Sequence, residues 1–561
     1  MLDNDFFSIW RNLYLQSIIY FYRFQDQPLL IKKFSKSLKN SKYAYKDKVV
    51  LFNLNTRAPL RLIKEQNDSG QSNPITHFII PCYMLSEFEK DQHDKLYGVK
   101  YIDSVLLHNE IPQNIKFLGL YMDTIPESEF TIPSSVTSME VINSYVGGSF
   151  FPPNVKSLKY GFSKPGNLNC LPLGQLSQTL TRLELINIKG TIKPHYLPHS
   201  LTHLHMGNTY KTQLEPNVLP PNLTFLHMGG YDKEIGIDLI PSTVTRLEFG
   251  WEFDSYLPPG SLPSSLVTLI FNDRTVMAPA KFNQPLDQGL LPSTLKTLRL
   301  GSQFDQELNE NVLPNSIIDF QCNKTVFIPP HTQVLKLTTI QPSLEIPHSV
   351  TNLDMGWINW NLQYGYFGNK LRVLSFKYAK QLVKGDIPSS VTKLTLHTRA
   401  ALEPDVIPTS VIKLSLTSFI QQPIGHGIVP DSCQKLSLCL QYPTEQIEIP
   451  SSVKLFTFLK NSRVVLYPNM LPHGLVSLDL SNVLPTQSDS VSSWPSSLEN
   501  LKISKTHKWI KFDCDLTTRK FSLDLPIPQL KTIDVVEENT IYHLNHSTLD
   551  YQKEIYRVDY Y

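Results

Sequence analysis

A short pattern returns many times along this chain, and it leaves few folds open. It reads Leu/Ile-Pro, two small or polar residues, an aliphatic residue, two variable residues, Leu, one variable residue and a last apolar residue. Clear copies are IPSSVTSMEV at Pro133, LPHSLTHLHM at Pro198, LPSTLKTLRL at Pro292, IPSSVTKLTL at Pro388 and LPHGLVSLDL at Pro472. Nineteen copies run from Pro112 to Pro495, mostly 19 to 23 residues apart, and two of them, at Ser177 and Gly368, lack the proline. A degenerate twentieth lies in LPIPQLKTIDV from Leu525.

The Leu-x-Leu end of each copy has the period-2 alternation of a strand, so both apolar residues point to one side. One such strand buries too little to be stable alone. Stacked on its neighbours at about 4.8 Å, it shares a ladder and a continuous core. About a dozen residues remain in each copy for the return, too few for a full helical crossover. Proline fixes φ and removes a donor, which makes the return a matter of turns, short 3₁₀ pieces and extended segments. The 41 prolines of the 561 residues thus have a structural role. The expected fold is a leucine-rich-repeat-like solenoid, with short parallel strands on a concave face and right-handed crossovers.

Phe282-Asn283-Gln284-Pro285-Leu286, followed by Gly289, Leu291, Pro292, Ser293, Leu295, Leu298, Leu300 and Gly301, resembles the FNIP repeat. Other copies keep the aromatic residue ten positions before the proline, at Tyr210, Tyr231, Phe253 and Phe304. The opening FFSIWRNLYLQSIIYFY is similar to a segment common at the start of such proteins. The resemblance implies a leucine-rich-repeat-like fold and leaves activity open. Some members of that family carry an F-box or a kinase domain, and neither is evident here.

The repeats divide the chain into three regions: 1–105 as an N-terminal cap region, 106–535 as the repeat array, and 536–561 as a C-terminal cap or tail. Phe7, Trp10, Tyr14, Ile18 and Phe21 mark one face of an amphipathic helix. That helix reads either as a small helical N-terminal cap covering the first coil or as a docking element for a ubiquitin-ligase adaptor.

With 52 basic against 50 acidic residues, the chain has no global field to attract nucleic acid or an anionic membrane. Its most apolar stretch, from Leu13, is about twelve residues long, contains Arg23, and is too short to cross a bilayer. Asp3 and Asp5 stand where a secretion signal has basic residues. The six cysteines have no CxxC spacing. The expectation is a cytoplasmic protein with reduced thiols and protein partners, and with no nucleic acid, membrane or cofactor.

Nucleotide-binding, kinase, hydrolase and zinc-protease motifs are all absent from the sequence. A chain occupied by stacking repeats leaves little room for a catalytic domain, so function is expected on the strand residues between and beside the inward leucines. There the row Glu184, His205, His227 and Glu248 runs beside Arg182, His203, Phe225 and Arg246. Further on, Lys393, Lys413 and Lys435 flank a hydroxyl row of Ser375, Thr395, Ser415, Ser437 and Thr457. The histidines read as a polar ladder or, alternatively, as imidazoles sharing a metal. The lysines read as a seat for an acidic partner or as a device for solubility. The leading expectation is a non-enzymatic protein-interaction scaffold. The alternatives are the recognition subunit of a ubiquitin ligase and a metal-binding or enzymatic histidine patch.

Overall fold

Most copies of the motif begin with a tight turn, in which the proline supplies a carbonyl and needs no partner for an N–H. The amide of the aliphatic residue three positions on donates to that carbonyl: Val136 to Pro133, Leu201 to Pro198, Val391 to Pro388 and Leu475 to Pro472, each at 3.1 Å. The next two amides then share one carbonyl of the preceding coil. The Thr392 and Lys393 N–H groups, for example, donate to the Arg372 carbonyl at 2.9 and 3.1 Å. The chain is thereby delivered into a strand already in register.

The two small residues after the proline have a use that their size alone does not reveal. The hydroxyl two positions beyond it donates to a carbonyl one coil back. Ser200 bonds Leu180, Ser265 bonds Val244, Ser410 bonds Val391 and Ser452 bonds Cys433, at 2.7 to 2.8 Å. Three positions before the proline the backbone is left-handed, with φ of 63° at Asn217, 62° at Asp238, 61° at Asp405 and 84° at Gly289. Asn, Asp and Gly tolerate that conformation best, which accounts for the residue types found there.

The structure, a computed structural model, describes residues 111–122, 132–143, 150–167, 176–272, 279–324, 327–363, 365–420, 422–442, 447–460, 462, 471–482 and 494–504. It also describes strand segments at 29–31, 50–53, 77–81, 96–102, 512–515, 520–523, 530–537, 540–545 and 550–555. The chain divides into two compact units, Met1–Thr294 and Leu295–Tyr561.

The first unit holds β1 (Leu29–Ile31), β2 (Val50–Asn53), β3 (His77–Pro81), β4 (Leu96–Ile102), β5 (Phe117–Tyr121) and β6 (Ser138–Ile142). It continues with β7 (Ser157–Asn167), β8 (Arg182–Lys189), β9 (His203–His205), β10 (Phe225–His227), β11 (Arg246–Phe249) and β12 (Thr268–Phe271). Each strand pairs in parallel with the next. Among the described residues the first strand of the ladder is at Leu29, inside the region 1–105 that the motif assigns to a cap. Those strands carry no Leu/Ile-Pro turn before them, so the repeat pattern does not announce them. The amphipathic helix expected at Phe7 to Phe21 lies outside the described residues, and among the described residues there is no helix.

In the second unit come β13 (Thr297–Arg299), β14 (Asp319–Cys322), β15 (Val334–Leu337), β16 (Asn352–Ile358), β17 (Val373–Tyr378) and β18 (Lys393–Thr398). They are followed by β19 (Lys413–Ser418), β20 (Lys435–Leu440), β21 (Leu455–Phe458), β22 (Ser477–Asp479) and β23 (Asn500–Ser504). These pair in parallel in sequence order. The remaining strands are β24 (Phe512–Asp515), β25 (Lys520–Leu523), β26 (Thr532–Glu537), β27 (Thr540–Asn545) and β28 (Asp550–Ile555). The degenerate copy from Leu525 supplies β26, which is parallel to β23. From there pairing turns antiparallel, through β27 and β28, within the segment read as a C-terminal cap or tail.

Inside each coil the alternate residues are buried as the period requires. Leu204, Leu226 and Leu247 of the first unit and Leu374, Leu394 and Leu436 of the second are fully buried. In the first unit Phe249, Phe253, Phe271 and Phe282 add a column of stacked rings, with centroids 4.0 Å apart for Phe249–Phe253 and 3.9 Å for Phe271–Phe282. The FNQP segment is seated by the coil before it. Asp254 Oδ1 accepts from the Asn283 amide at 2.8 Å and from Gln284 Nε2 at 3.1 Å.

Leu298, fully buried on β13 and in register with Phe320, tests this shared core. Leu298→Ala is expected to cost about 2–5 kcal/mol through the cavity that it leaves. Contacts in such an array are mostly between nearest neighbours, so hydrogen-exchange protection should fall first in β13 and β14. Equal loss across β13 to β23 would contradict that local coupling.

Candidate functional site

With every second strand residue committed to the core, the others form rows on the open face of the sheet, one residue per coil. In the first unit, one row is Arg182, His203, Phe225, Arg246 and Thr268, and two residues along is Glu184, His205, His227, Glu248 and Ile270. The alignment of these residues on neighbouring strands is therefore as expected from the motif.

The rings of His205 and His227 lie face to face, with centroids 3.9 Å apart and planes 8° from parallel. Each Nδ1 accepts a backbone amide, from Gly207 at 3.1 Å and from Gly229 at 3.0 Å, which puts the proton of a neutral ring on Nε2. His203 stacks instead on Phe225 at 5.8 Å, in the other row, and Arg246 lies over the far side of that pair, 5.9 Å from the Phe225 centroid. Arg246 Nε also donates to Glu248 Oε1 at 2.7 Å. Glu248 accepts from Asn272 at 3.1 Å, and Lys159 pairs with Glu184 at 3.1 Å.

Charge is thus balanced at both ends of the ladder, and the imidazoles between are held neutral. Burial pulls His227 down from 6.5 to about 3, with His205 and Arg246 adding to the shift. Burial and the Arg182 guanidinium bring His203 to about 4. His205 is lowered by burial too, against the opposing pull of Glu184 and Glu248. The three imidazoles do not converge: two are stacked with their Nδ1 atoms occupied, and the third faces Phe225. Among the described residues no group of three His, Cys, Asp or Glu side chains is placed to hold a metal ion.

In the second unit Lys393, Lys413 and Lys435 are in register on β18, β19 and β20. Ser375, Thr395, Ser415, Ser437 and Thr457 form the adjoining row on β17 to β21. A third row, which the motif does not single out, contains Trp357, Lys377, His397, Thr417 and Cys439. Arg399 and Phe419 follow at the strand ends, and the Arg399 guanidinium lies 4.3 Å from the Trp357 ring centroid and 5.9 Å from that of Phe419. Two signals could have revealed this cluster: an aromatic residue two positions past the last apolar residue, and the Gly356 that precedes Trp357.

Three cysteines fall among the described residues with their side chains. Cys322, Cys433 and Cys439 are free and buried, and burial pushes Cys433 up to about 11.

Comparison with known proteins is consistent with this architecture. The FNIP Repeat model matches residues 190–230, 231–274 and 282–320. A probable serine/threonine-protein kinase, fnkA of Dictyostelium discoideum, is 41% identical over 70 residues, which is 12% of this chain and 8% of that protein. The chain therefore spans less than a tenth of that relative. Among solved structures, CroV588, described as a novel circular leucine-rich-repeat protein, superposes with a TM-score of 0.54 at 22% identity, covering 74% of this chain and 73% of its own. The Toll–Spätzle complex, described as a molecular hub in Drosophila development and innate immunity, gives a TM-score of 0.35 at 13% identity, covering 86% of this chain and 63% of its own.

Proposed function

We propose that this chain, with FNIP repeats at 190–320, is a non-enzymatic scaffold that binds other proteins on the open face of its parallel ladders. The observation that carries the reading is the contrast between the two faces of the strands. The inward face repeats one chemistry from coil to coil, whereas the outward rows change from Arg, Glu, His and Phe on β8 to β11 to Lys, Ser and Thr on β18 to β20. A backbone that holds rows of exchangeable side chains in register is suited to recognising extended polypeptide surfaces. No helix among the described residues is long and apolar enough to cross a membrane. The compartment that fits buried, unpaired thiols is the cytoplasm.

The test is affinity purification with the wild-type chain, a Lys393→Glu/Lys413→Glu/Lys435→Glu variant, and a His205→Ala/His227→Ala variant. Partners that depend on at least one face are the expected result. Recovery of the same proteins with all three chains would remove the scaffold reading, and ligase adaptors among the face-dependent partners would specify it further. Lys413→Glu alone is expected to slow association of a second-unit partner and weaken its binding about tenfold at low salt. That effect should fade as screening rises, so a salt series checks it.

A further inference from the structure

A row of hydroxyls across β17 to β21 has no task inside the fold. Ser375, Thr395, Ser415, Ser437 and Thr457 are in register, one per strand and all half-buried. No hydrogen bond within the described residues engages the hydroxyl of any of them. Hydroxyls of the same coils that do serve the fold are bonded: Ser410 to the Val391 carbonyl at 2.7 Å, Ser432 to that of Val411 at 3.0 Å and Ser452 to that of Cys433 at 2.8 Å. The row also has definite ends. On one side Asp354, paired with Lys336 at 3.8 Å, replaces the hydroxyl, and on the other Asp479, paired with Lys502 at 3.5 Å. Between the two carboxylates lie six steps of ~4.8 Å, which is about 29 Å.

A second observation lies beside the middle of the row. Thr417 is on the same side of β19 as Ser415 and in register with His397 on β18. It is 6% exposed, and no hydrogen bond engages its hydroxyl either. A hydroxyl so far out of water and without a partner costs the fold free energy that a bond to a ligand would recover. Burial and Lys377 lower His397 against the pull of Asp354, so at neutral pH it is an uncharged imidazole. Thr395, His397, Ser415, Thr417 and Ser437 thus form one patch in which every group can both donate and accept.

We infer that this patch binds a linear, uncharged polysaccharide, laid along the row with one sugar over each strand. The match is of chemistry and of step. Sugar hydroxyls also donate and accept at once, and an extended β-1,4-linked chain advances by nearly one strand spacing per sugar. An extended polypeptide does not keep that step, since its same-side residues recur every ~6.7 Å. An α-helix has a comparable pitch of about 5.4 Å, but its surface changes chemistry from turn to turn while the row does not. Nor does the row call for a charge. Lysine donates to a sugar oxygen as it does to a carboxylate, and a chain with a negative charge on every unit would meet Asp354 and Asp479 at the ends. The site adds a ligand to the scaffold reading and does not rest on it.

The experiment is isothermal titration calorimetry of the full chain with cellohexaose, mannohexaose and chitohexaose, all uncharged and β-1,4-linked. Maltohexaose, whose α-1,4 links make it coil, and hexagalacturonate, which is charged, are the comparisons. Expected is binding of at least one of the first three, at least tenfold tighter than maltohexaose. Thr395→Val/Ser415→Ala/Ser437→Ala should weaken it at least tenfold. Ser477→Ala, on β22 and in the lysines' row, should change nothing. No binding of any of the three, or equal affinity for wild type and the triple variant, overturns the inference. Tighter binding of hexagalacturonate overturns it in favour of an acidic ligand. A protein partner lost with the triple variant, when no glycan binds, overturns it in favour of a polypeptide. If the triple variant fails to fold, Ser415→Ala and Ser437→Ala decide singly, each expected to weaken binding about threefold. Affinity purification tests the scaffold reading separately, so either can fail while the other stands.

Discussion

Gly229→Ala is expected to destabilise the first unit by about 3–5 kcal/mol, far beyond an ordinary surface change. Two costs combine. The residue has φ of 58°, which strains any side chain, and its added Cβ would lie 1.8 Å from the Gly207 carbonyl oxygen. That oxygen is backbone of the preceding coil and cannot rotate away. Gly250 meets the Gly229 oxygen at the same 1.8 Å, so displacement at one coil passes to the next. The amide of Gly229 also donates to His227 Nδ1, and a shifted backbone would release that ring as well. Gly236→Ala is the control, since nothing lies within 4 Å of its added Cβ and its φ is not left-handed. Urea unfolding of both variants, with hydrogen exchange on β9 to β11, provides the measurement. Equal midpoints for the two would mean that the coils can separate at Gly229 at little cost.

The second large effect is acid sensitivity of the same unit. His227 is held at about 3 in the folded chain and titrates near 6.5 when unfolded. Because the folded value is the lower one, protons bind preferentially to the unfolded state between those limits. The contribution to stability is therefore complete above about pH 6.5 and is lost as pH falls toward 3. From pH 7.5 to pH 5 that linkage removes about 2 kcal/mol for His227 alone. His203 and His205 act in the same direction. The groups facing the pair are Glu184, Glu248, Arg246 and Lys159; the two glutamates pull His205 upward against its burial, while Arg246 lowers His227 further. His227→Gln should flatten the decline in urea midpoint between these pH values. An imidazole at His227 that titrates near 6.5 by NMR in the folded protein would contradict the argument.

How far the fold could be read in advance depended on the marker that each element carries. The strands at Leu298, Leu394 and Leu414 follow from a proline turn placed ahead of an alternating apolar triplet. Because that turn fixes where each strand starts, equivalent residues had to align across coils, and Lys393, Lys413 and Lys435 do. The pairing of His205 with His227 follows in the same way, but the face-to-face stacking and the bonds to Gly207 and Gly229 depend on three-dimensional detail that spacing does not encode. β1 to β4 were hidden because HFIIP and LYGVKYI have strand chemistry with no preceding Leu-Pro. Trp357 was hidden by its bulge, which breaks the count of two that placed the other rows. The open face of β17 to β20 was read as a lysine row, and the aromatic seat for Arg399 lay outside that count.

The hydroxyl bonds that tie each turn to the coil before it have a consequence for how such a chain can change in length. Ser410 addresses the carbonyl of Val391 much as Ser200 addresses that of Leu180, so the same fitting recurs at many of the junctions between coils. A segment that begins at one proline and ends just before the next carries one male and one female half of that fitting. Such a cassette can be gained or dropped whole with the proline turns of the remaining coils left in place. A cut between the proline turn and its strand would separate the two halves, whereas the varied spacing of the copies places changes of a few residues in the return. Copy number is then a quantity that inheritance can alter in whole steps, and the reach of the binding face alters with it, about 4.8 Å at a time.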